Sequence, residues 1–188
     1  MLRPAVFLDR DDTLIANREV TAHTDHPGDL FDPRDVRLLD GAAWACRMLK
    51  DAGYLLVVVS NQGAVARGRC TWHDVKVCNE RMRELLREEA GVEFDGVYFC
   101  PFHPKGTVPP YNVEHPTRKP SPGMLIQASR DLGIDLPGSW MVGDAMRDIQ
   151  AARAAGIPGE RAILIGHLEN RRFESLREAA GWIVRNSA

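Results

Sequence analysis

Three aspartates stand directly behind a short apolar run near the start of the chain. The run covers residues 5–8, and Asp9, Arg10, Asp11 and Asp12 follow it. Side chains two apart on an extended segment point to the same face, so Asp9 and Asp11 should converge at the strand end while Arg10 points away. Two carboxylates held that close need a cation or a shared proton, which indicates metal binding and acid–base chemistry.

Further side chains capable of chemistry follow two more apolar runs. Ser60 and Asn61 come at the end of the run over residues 54–60, and Asp144 follows soon after the run over residues 140–142. The carboxyl ends of parallel strands meet at one edge of a sheet. We therefore expect these side chains to gather near the first aspartates.

Two cations and one more carboxylate complete the set of candidates. Arg118 and Lys119 lie just before a predicted helix start at Ser121, and Asp148 lies one helical turn beyond Asp144. From that position the Asp148 carboxylate could orient either Lys119 or a metal-bound water.

The hydrophobic periodicity predicts strands alternating with helices. Continuous apolar runs predict strands over residues 5–8, 54–60, 97–100, 140–142, 162–165 and 182–184. Stripes at helical spacing predict helices over residues 41–51, 71–91, 121–133, 149–155 and 174–180. Long loops are predicted over residues 16–40 and 101–120. Such an alternation implies right-handed crossovers and a mostly parallel sheet, which is an α/β Rossmann-like fold.

The composition indicates what kind of protein this is and what kind of partner it binds. With 188 residues, 44% of them hydrophobic, the chain is expected to form one domain over residues 1–188. A formal net charge of −2 provides no surplus for gripping nucleic acid, so we expect a small-molecule partner and a monomer. No apolar stretch is long enough for a membrane span and no secretory leader is recognisable, which predicts a cytoplasmic protein whose four cysteines are free thiols.

Taken in order, these motifs resemble those of the haloacid dehalogenase (HAD) superfamily: Asp-x-Asp at one strand end, Ser at a second, a Lys, and Gly-Asp-x-x-x-Asp. Within that superfamily the runs over residues 7–13, 60–62, 66–68, 100–104 and 118–123 look like those of D-glycero-D-manno-heptose-1,7-bisphosphate 7-phosphatases and histidinol phosphatases. The resemblance covers most of the chain. It implies a three-layer fold with a mostly parallel central sheet and no large cap domain.

The resemblance also implies a two-step phosphoryl transfer. Asp9 would attack phosphorus to form an aspartyl phosphate, and Asp11 would serve first as general acid and then as general base. Mg²⁺ would be held by the Asp9 carboxylate, the Asp11 main-chain carbonyl, Asp144 and waters. Lys119 would add positive charge at the transferring group, and Ser60 would donate a hydrogen bond to its oxygens.

Three residues are candidates for binding the rest of the substrate. Asn61 lies beside the phosphate-binding Ser60. Arg67 and Arg118 each carry a guanidinium that can engage an oxyanion, such as a second phosphate, through two hydrogen bonds.

The chain departs from its presumed relatives around the site. Asp12 replaces the usual glycine after the second aspartate, and Ala145 replaces a lysine that many relatives carry after the first aspartate of the last motif. The segment over residues 16–40 is longer than in the relatives and could alter substrate choice, with Arg18 one of its candidate substrate contacts.

A fourth departure concerns zinc, which many relatives bind in the loop before the Arg-Lys-Pro motif. Cys100 and His115 match two of the four ligand positions, but Phe102 and Thr117 occupy the other two. Two ligands do not make a closed tetrahedral site, so we expect no zinc there.

We therefore predict a Mg²⁺-dependent phosphatase for a small sugar phosphate, with a heptose bisphosphate as the best specific substrate. Histidinol phosphate is the nearest alternative. Two further hypotheses stay open: a phosphatase that processes nucleic-acid ends, which the charge balance disfavours, and a catalytically inactive binding protein on the same fold.

Overall fold

The computed structural model describes residues 2–166 and 172–186 and contains a five-stranded sheet in the order β3-β2-β1-β4-β5, with every neighbouring pair parallel. The strands are β1 (Ala5–Leu8), β2 (Leu55–Asn61), β3 (Gly96–Cys100), β4 (Trp140–Gly143) and β5 (Ala162–Leu164). The helices are α1 (Asn17–Thr21), α2 (Ala42–Asp51), α3 (Trp72–Ala90), α4 (Gly123–Leu132), α5 (Met146–Ala155) and α6 (Leu176–Arg185). The predicted α/β fold with a parallel sheet is confirmed.

The central strands bury both faces, as their continuous apolar composition predicts. In β1, Val6 and Leu8 belong to one hydrophobic core, whereas Ala5 and Phe7 belong to a second core on the opposite face. Side chains of α2, α3 and α6 complete the first core, and those of α4 and α5 complete the second. The molecule therefore has three layers, with the sheet between two layers of helices.

The end of β1 lies where the strand order switches direction. β2 and β3 lie on one side of β1, and β4 and β5 lie on the other. Leu8 pairs with Val58 of β2 and Val142 of β4, and the Asp9 N–H donates to the Val142 carbonyl over 3.0 Å. Ligands of open parallel sheets bind at such a switch point. The polar residues after these three strands consequently meet at one edge.

Asp12 lies in the turn after β1, and its backbone conformation and side-chain contacts explain why an aspartate fits there. This residue has a φ of 57°, a left-handed conformation that glycine adopts freely and aspartate tolerates better than most residues. Its Oδ1 accepts hydrogen bonds from the N–H groups of Asn17 (3.2 Å) and Arg18 (2.9 Å), the first two residues of α1. The Asp12 carboxylate thus fixes the start of α1.

The segment over residues 16–40 is more ordered than the predicted loop. It carries the five-residue helix α1 and a three-residue 3₁₀ turn at Pro33–Asp35. Val20, Leu30 and Val36 from this segment are buried in the first core. Sparse apolar residues without a regular period gave no local signal of this packing.

The prediction for the C-terminal region was partly wrong. A helix over residues 174–180 followed by a strand over residues 182–184 was expected, but α6 runs through both. Its buried residues recur at helical spacing: Leu176, Ala179, Ala180 and Ile183. Periodicity cannot distinguish strand from helix over three apolar residues, and here the longer helical stripe prevails.

No helix formed by the described parts of the chain has the length and apolar character needed to cross a membrane. All four cysteines carry free thiols, as predicted. Burial raises the pKa of Cys46 to about 12, so this thiol stays protonated in the core.

The start of α3 gives a test of how local sequence stabilises the fold. Thr71 Oγ1 accepts from the Asp74 N–H while the Asp74 side chain accepts from the Thr71 N–H, a reciprocal capping box. Replacing Thr71→Ala should lower the free energy of unfolding by about 1 kcal/mol, measured by urea denaturation. The matched variant Thr71→Ser keeps the acceptor and should stay close to the wild type. Equal stability of the alanine and serine variants would contradict this assignment.

Candidate active site

A buried ammonium group lies at the centre of the polar edge. Lys119 Nζ is 2.9 Å from Asp9 Oδ1 and 2.7 Å from Asp148 Oδ1, and it donates to the Val59 carbonyl over 2.6 Å. The side chains of Lys119 and Asp148 have no exposed surface. Burial alone would lower the pKa of Lys119, but the two carboxylates outweigh it and raise the pKa, so Lys119 stays charged.

Asn61 fixes the backbone that carries Lys119. The Asn61 side-chain amide donates to the Lys119 carbonyl over 2.8 Å, and Asn61 Oδ1 accepts from the Lys119 N–H over 3.0 Å. Because Asn61 ends β2, this pair ties the loop before α4 to the sheet. The sequence predicts that Asn61 binds substrate; the structure places it in the pocket wall with both ends of its amide already bonded to Lys119.

Asp148 reaches Lys119 from the first turn of α5. Its Oδ2 accepts from the Ala145 N–H over 3.0 Å, which satisfies a free donor at the helix start. A Cβ on Gly143 would lie 2.5 Å from that oxygen, so glycine is needed at this strand end to leave room for the carboxylate. Burial raises the pKa of Asp148, while the charge of Lys119 opposes the rise.

Asp144 completes a group of three carboxylates suited to a metal ion. Oxygen atoms of Asp9, Asp144 and Asp148 lie within 4.8 Å of one another. Asp144 Oδ1 is buried and accepts no hydrogen bond from residues 2–166 or 172–186. Burial, together with the charge of Asp9, raises the pKa of Asp144. Lys119 pairs with Asp9 and Asp148, and Arg18 pairs with Asp144, so this group still has one more carboxylate than cations. A metal ion would balance that charge, and an all-oxygen set suits Mg²⁺.

Asp11 is held through both carboxylate oxygens. Arg10 Nε donates to Oδ1 over 3.0 Å, and Gln62 Nε2 donates to Oδ2 over 2.8 Å and to Ser60 Oγ over 2.7 Å. Burial raises the pKa of Asp11, and the charge of Arg10 opposes the rise. A carboxyl with a raised pKa is suited to general acid chemistry. Gln62 was not predicted as a site residue, although its place two residues beyond Ser60 was a usable signal.

Strand alternation predicts that Arg10 points away from the aspartates, but its guanidinium turns back on Asp11, with Nη2 2.9 Å from Asp11 Oδ1. The side chain is almost wholly buried, and its Nη1 donates to Asn79 Oδ1 of α3. Periodicity gives the direction of the Cα–Cβ bond, and a long side chain can reverse that direction.

Of the groups described so far, Asp11, Asn61, Gln62 and Asp144 line a pocket of about 250 Å³. Its lining includes four aspartates and four arginines: Asp11, Asp12, Asp29, Asp144, Arg18, Arg67, Arg118 and Arg147. Arg18 Nη2 lies 2.6 Å from Asp144 Oδ2, and Arg147 Nη2 lies 4.0 Å from Asp144 Oδ1. Arg147 was not predicted as a site residue, although it lies three positions after Asp144, in the first turn of α5. It places a cation close to Ala145, where the resemblance leads us to expect lysine.

The two arginines predicted to bind substrate differ in their partners. Arg67 Nη2 lies 2.7 Å from Asp29 Oδ1, so a carboxylate of the 16–40 segment already pairs with it. No local pattern marked Asp29 for this role. Arg118 Nη1 donates to the Phe102 carbonyl over 3.0 Å and forms no ion pair within the described part of the chain. Burial, together with the like charges of Arg147 and Arg67, lowers the pKa of Arg118.

The positions that match the zinc loop of relatives are occupied by other contacts. His115 Nδ1 lies 2.7 Å from Thr117 Oγ1, and the His115 ring stacks on Phe102 with ring centres 3.9 Å apart. Cys100 is buried, and its Sγ lies 3.9 Å from the Phe102 carbonyl oxygen. Phe102 and Thr117, which replace two ligands, therefore both contact His115.

The charge balance around Lys119 can be tested without substrate. The variant Lys119→Met leaves Asp9 and Asp148 buried without their shared ammonium, and should lower the free energy of unfolding by about 3–5 kcal/mol in EDTA. Adding Asp148→Asn to this variant removes one uncompensated charge and should restore part of the loss. Urea denaturation measures both, with the exposed Lys105→Met as control. Wild-type stability of Lys119→Met would refute the proposed balance.

Comparison with known proteins agrees with this geometry. The HAD-like hydrolase family profile matches residues 116–167. The chain is 40% identical to the D-glycero-beta-D-manno-heptose-1,7-bisphosphate 7-phosphatase of Yersinia pestis, over 98% of this chain and 92% of that protein. It is 37% identical to the enzyme of the same name from Escherichia coli (strain K12), over 98% of this chain and 90% of that protein.

A solved structure extends the likeness to the whole fold. The D,D-heptose 1,7-bisphosphate phosphatase of B. bronchiseptica, complexed with magnesium and phosphate, superposes with a TM-score of 0.77 at 27% identity. The match covers 97% of this chain and 98% of that chain. The predicted HAD membership is thus confirmed, and the chain belongs to the D-glycero-β-D-manno-heptose-1,7-bisphosphate 7-phosphatase family of HAD-like hydrolases.

Proposed function

We propose that this protein is a Mg²⁺-dependent phosphatase that removes the 7-phosphate of D-glycero-β-D-manno-heptose 1,7-bisphosphate, acting as a monomer in the cytoplasm. One observation carries the proposal. The Asp9 carboxylate lies at the end of β1, 2.9 Å from the buried Lys119 ammonium and grouped with the carboxylates of Asp144 and Asp148. The names of the relatives support the specific substrate.

The residues present account for a two-step reaction. In the first step an Asp9 oxygen bonds to phosphorus, the bond between phosphorus and the ester oxygen breaks, and Asp11 gives its proton to the departing alkoxide. In the second step a water oxygen bonds to phosphorus, the bond from Asp9 to phosphorus breaks, and Asp11 takes a proton from the water. One phosphate ester and one water become an alcohol and inorganic phosphate.

The negative charges that meet in this reaction need cations. At 4 Å and an effective dielectric constant near 20, each pair of unit charges repels by about 4 kcal/mol. Lys119 would offset part of this repulsion, and the Ser60 hydroxyl would donate a hydrogen bond to a phosphoryl oxygen. Asp9, Asp144 and the Asp11 carbonyl would hold Mg²⁺, which supplies further charge stabilisation at the phosphoryl oxygens when bound.

Arg118 favours a substrate with a second anionic group. It is half-buried and has no carboxylate partner in the described residues, whereas Arg18, Arg67 and Arg147 all face aspartates. A half-buried guanidinium without a carboxylate partner is only partly compensated by the Phe102 carbonyl, so an anion beside Arg118 would stabilise its charge. The second phosphate of a bisphosphate provides that anion. Histidinol phosphate has only one phosphate, and its other charged group is an amine. This difference favours the heptose bisphosphate.

The direct test is phosphate release from purified protein, with a panel of heptose bisphosphate, histidinol phosphate, nucleotides and a 5′-phosphorylated oligonucleotide. We expect Mg²⁺-dependent loss of one phosphate from the heptose bisphosphate, leaving the 1-phosphate, and loss of activity in EDTA. Asp9→Asn should abolish turnover. Preference for histidinol phosphate or the oligonucleotide would replace the proposed substrate, and release from no substrate would contradict an enzymatic function.

The role of Arg118 makes a separate prediction. Arg118→Ala removes a charge-assisted contact of about 1.5–3 kcal/mol, so KM for the bisphosphate should rise about 10- to 100-fold with little change in kcat. KM for a monophosphate of the same sugar should change less than about twofold, because the lost partner is the second phosphate. Arg130→Ala, on the exposed face of α4, is the control. A similar KM increase for both substrates would contradict a contact to the second phosphate.

A further inference from the structure

An arginine between two active-site aspartates is buried to a degree that is unusual for its type. Only 1% of the Arg10 side chain is exposed, and it is among the largest fully buried side chains in the part of the chain that the structure describes. Burying a guanidinium costs several kcal/mol unless its donors are matched by acceptors. The two-step reaction assigns no role to Arg10, so its contacts need another explanation.

The guanidinium is fixed at both ends. On one side Nε and Nη2 lie 3.0 Å and 2.9 Å from Asp11 Oδ1, and on the other Nη1 donates to Asn79 Oδ1 over 3.0 Å. Asn79 belongs to the middle of α3, and 6% of its surface is exposed. A rigid helix thus anchors the planar group that contacts Asp11.

The same contacts continue through the acid–base residue to the phosphate-binding side. Gln62 Nε2 donates to the second oxygen of Asp11 and to Ser60 Oγ. The chain of contacts therefore runs from Asn79 through Arg10, Asp11 and Gln62 to Ser60. Side-chain rotation of Asp11 would break contacts on both of its oxygens.

We propose that Arg10, anchored by Asn79, is a positioning residue that aims the Asp11 carboxyl at the leaving group. The inference rests on the proposed phosphatase function. Its physical basis is geometric: proton transfer needs a donor within hydrogen-bond reach of the ester oxygen, and a small misplacement of that donor slows the reaction strongly. Without the anchor, the long Arg10 side chain can shift and Asp11 can rotate with it.

The test uses Asn79, which touches neither substrate nor Asp11. Asn79→Leu keeps a side chain of similar size and removes the acceptor for Arg10. For an alkyl phosphate, whose leaving group needs a proton, kcat/KM should fall about tenfold. For p-nitrophenyl phosphate, whose leaving group departs as an anion, kcat/KM should change less than about twofold. Glu80→Gln, the exposed neighbour on α3, is the control for both substrates.

Two more variants separate positioning from a loss of folding. Asn79→Asp keeps an oxygen acceptor and should restore kcat/KM for the alkyl phosphate to within about threefold of wild type. Asn79→Ala should repeat the selective loss, and provides the test if the leucine variant does not fold. Equal losses on the two substrates, or none, would overturn the inference. Failure of the wild-type protein to hydrolyse any phosphate would instead overturn the proposed function.

Discussion

The contact on which the rest of the site depends is the buried ammonium of Lys119 between the carboxylates of Asp9 and Asp148. Water cannot screen these charges, so each carboxylate needs the ammonium and the ammonium needs both carboxylates. The surrounding structure holds this arrangement in place. Asn61 bonds both backbone groups of Lys119, and Gly143 leaves the space that Asp148 occupies. Asp144, which pairs with Arg18, adds a third carboxylate with which a metal ion could be bound.

The sheet explains why these groups meet. β1 lies between β2 and β4, and the three strands run parallel, so residues that follow their carboxyl ends gather at one edge although they are distant in sequence. The same edge carries the pocket that we propose receives substrate. Its aspartates and arginines largely pair with one another, and Arg118 is the guanidinium left without a carboxylate among the described residues. The proposed nucleophile, acid and anion-binding group thus lie around one edge of the sheet, and Asn17, Arg18 and Asp29 of the 16–40 segment line part of the same pocket.

Much of this arrangement could be predicted because local patterns carry it. Continuous apolar runs predicted the buried strands, and the chain order of Asp9, Ser60, Lys119 and Asp144 matched a known set of motifs. Contacts between distant side chains left no such signal. The bonds from Asn61 to Lys119 and from Asp29 to Arg67 depend on how loops pack across the sheet edge. The burial of Arg10 could not be predicted for a related reason. Strand alternation gives the direction of the Cα–Cβ bond, but the guanidinium of a long side chain can lie on another side.

We propose that Asp9 carries the phosphoryl group between the two steps. Acid quenching during turnover with Mg²⁺, followed by borohydride reduction and peptide mass spectrometry, tests this claim directly, because borohydride converts an aspartyl phosphate into homoserine. We expect homoserine at position 9 only when substrate is present. Continued phosphate release with unmodified Asp9, or with the modification at another carboxylate, would contradict it.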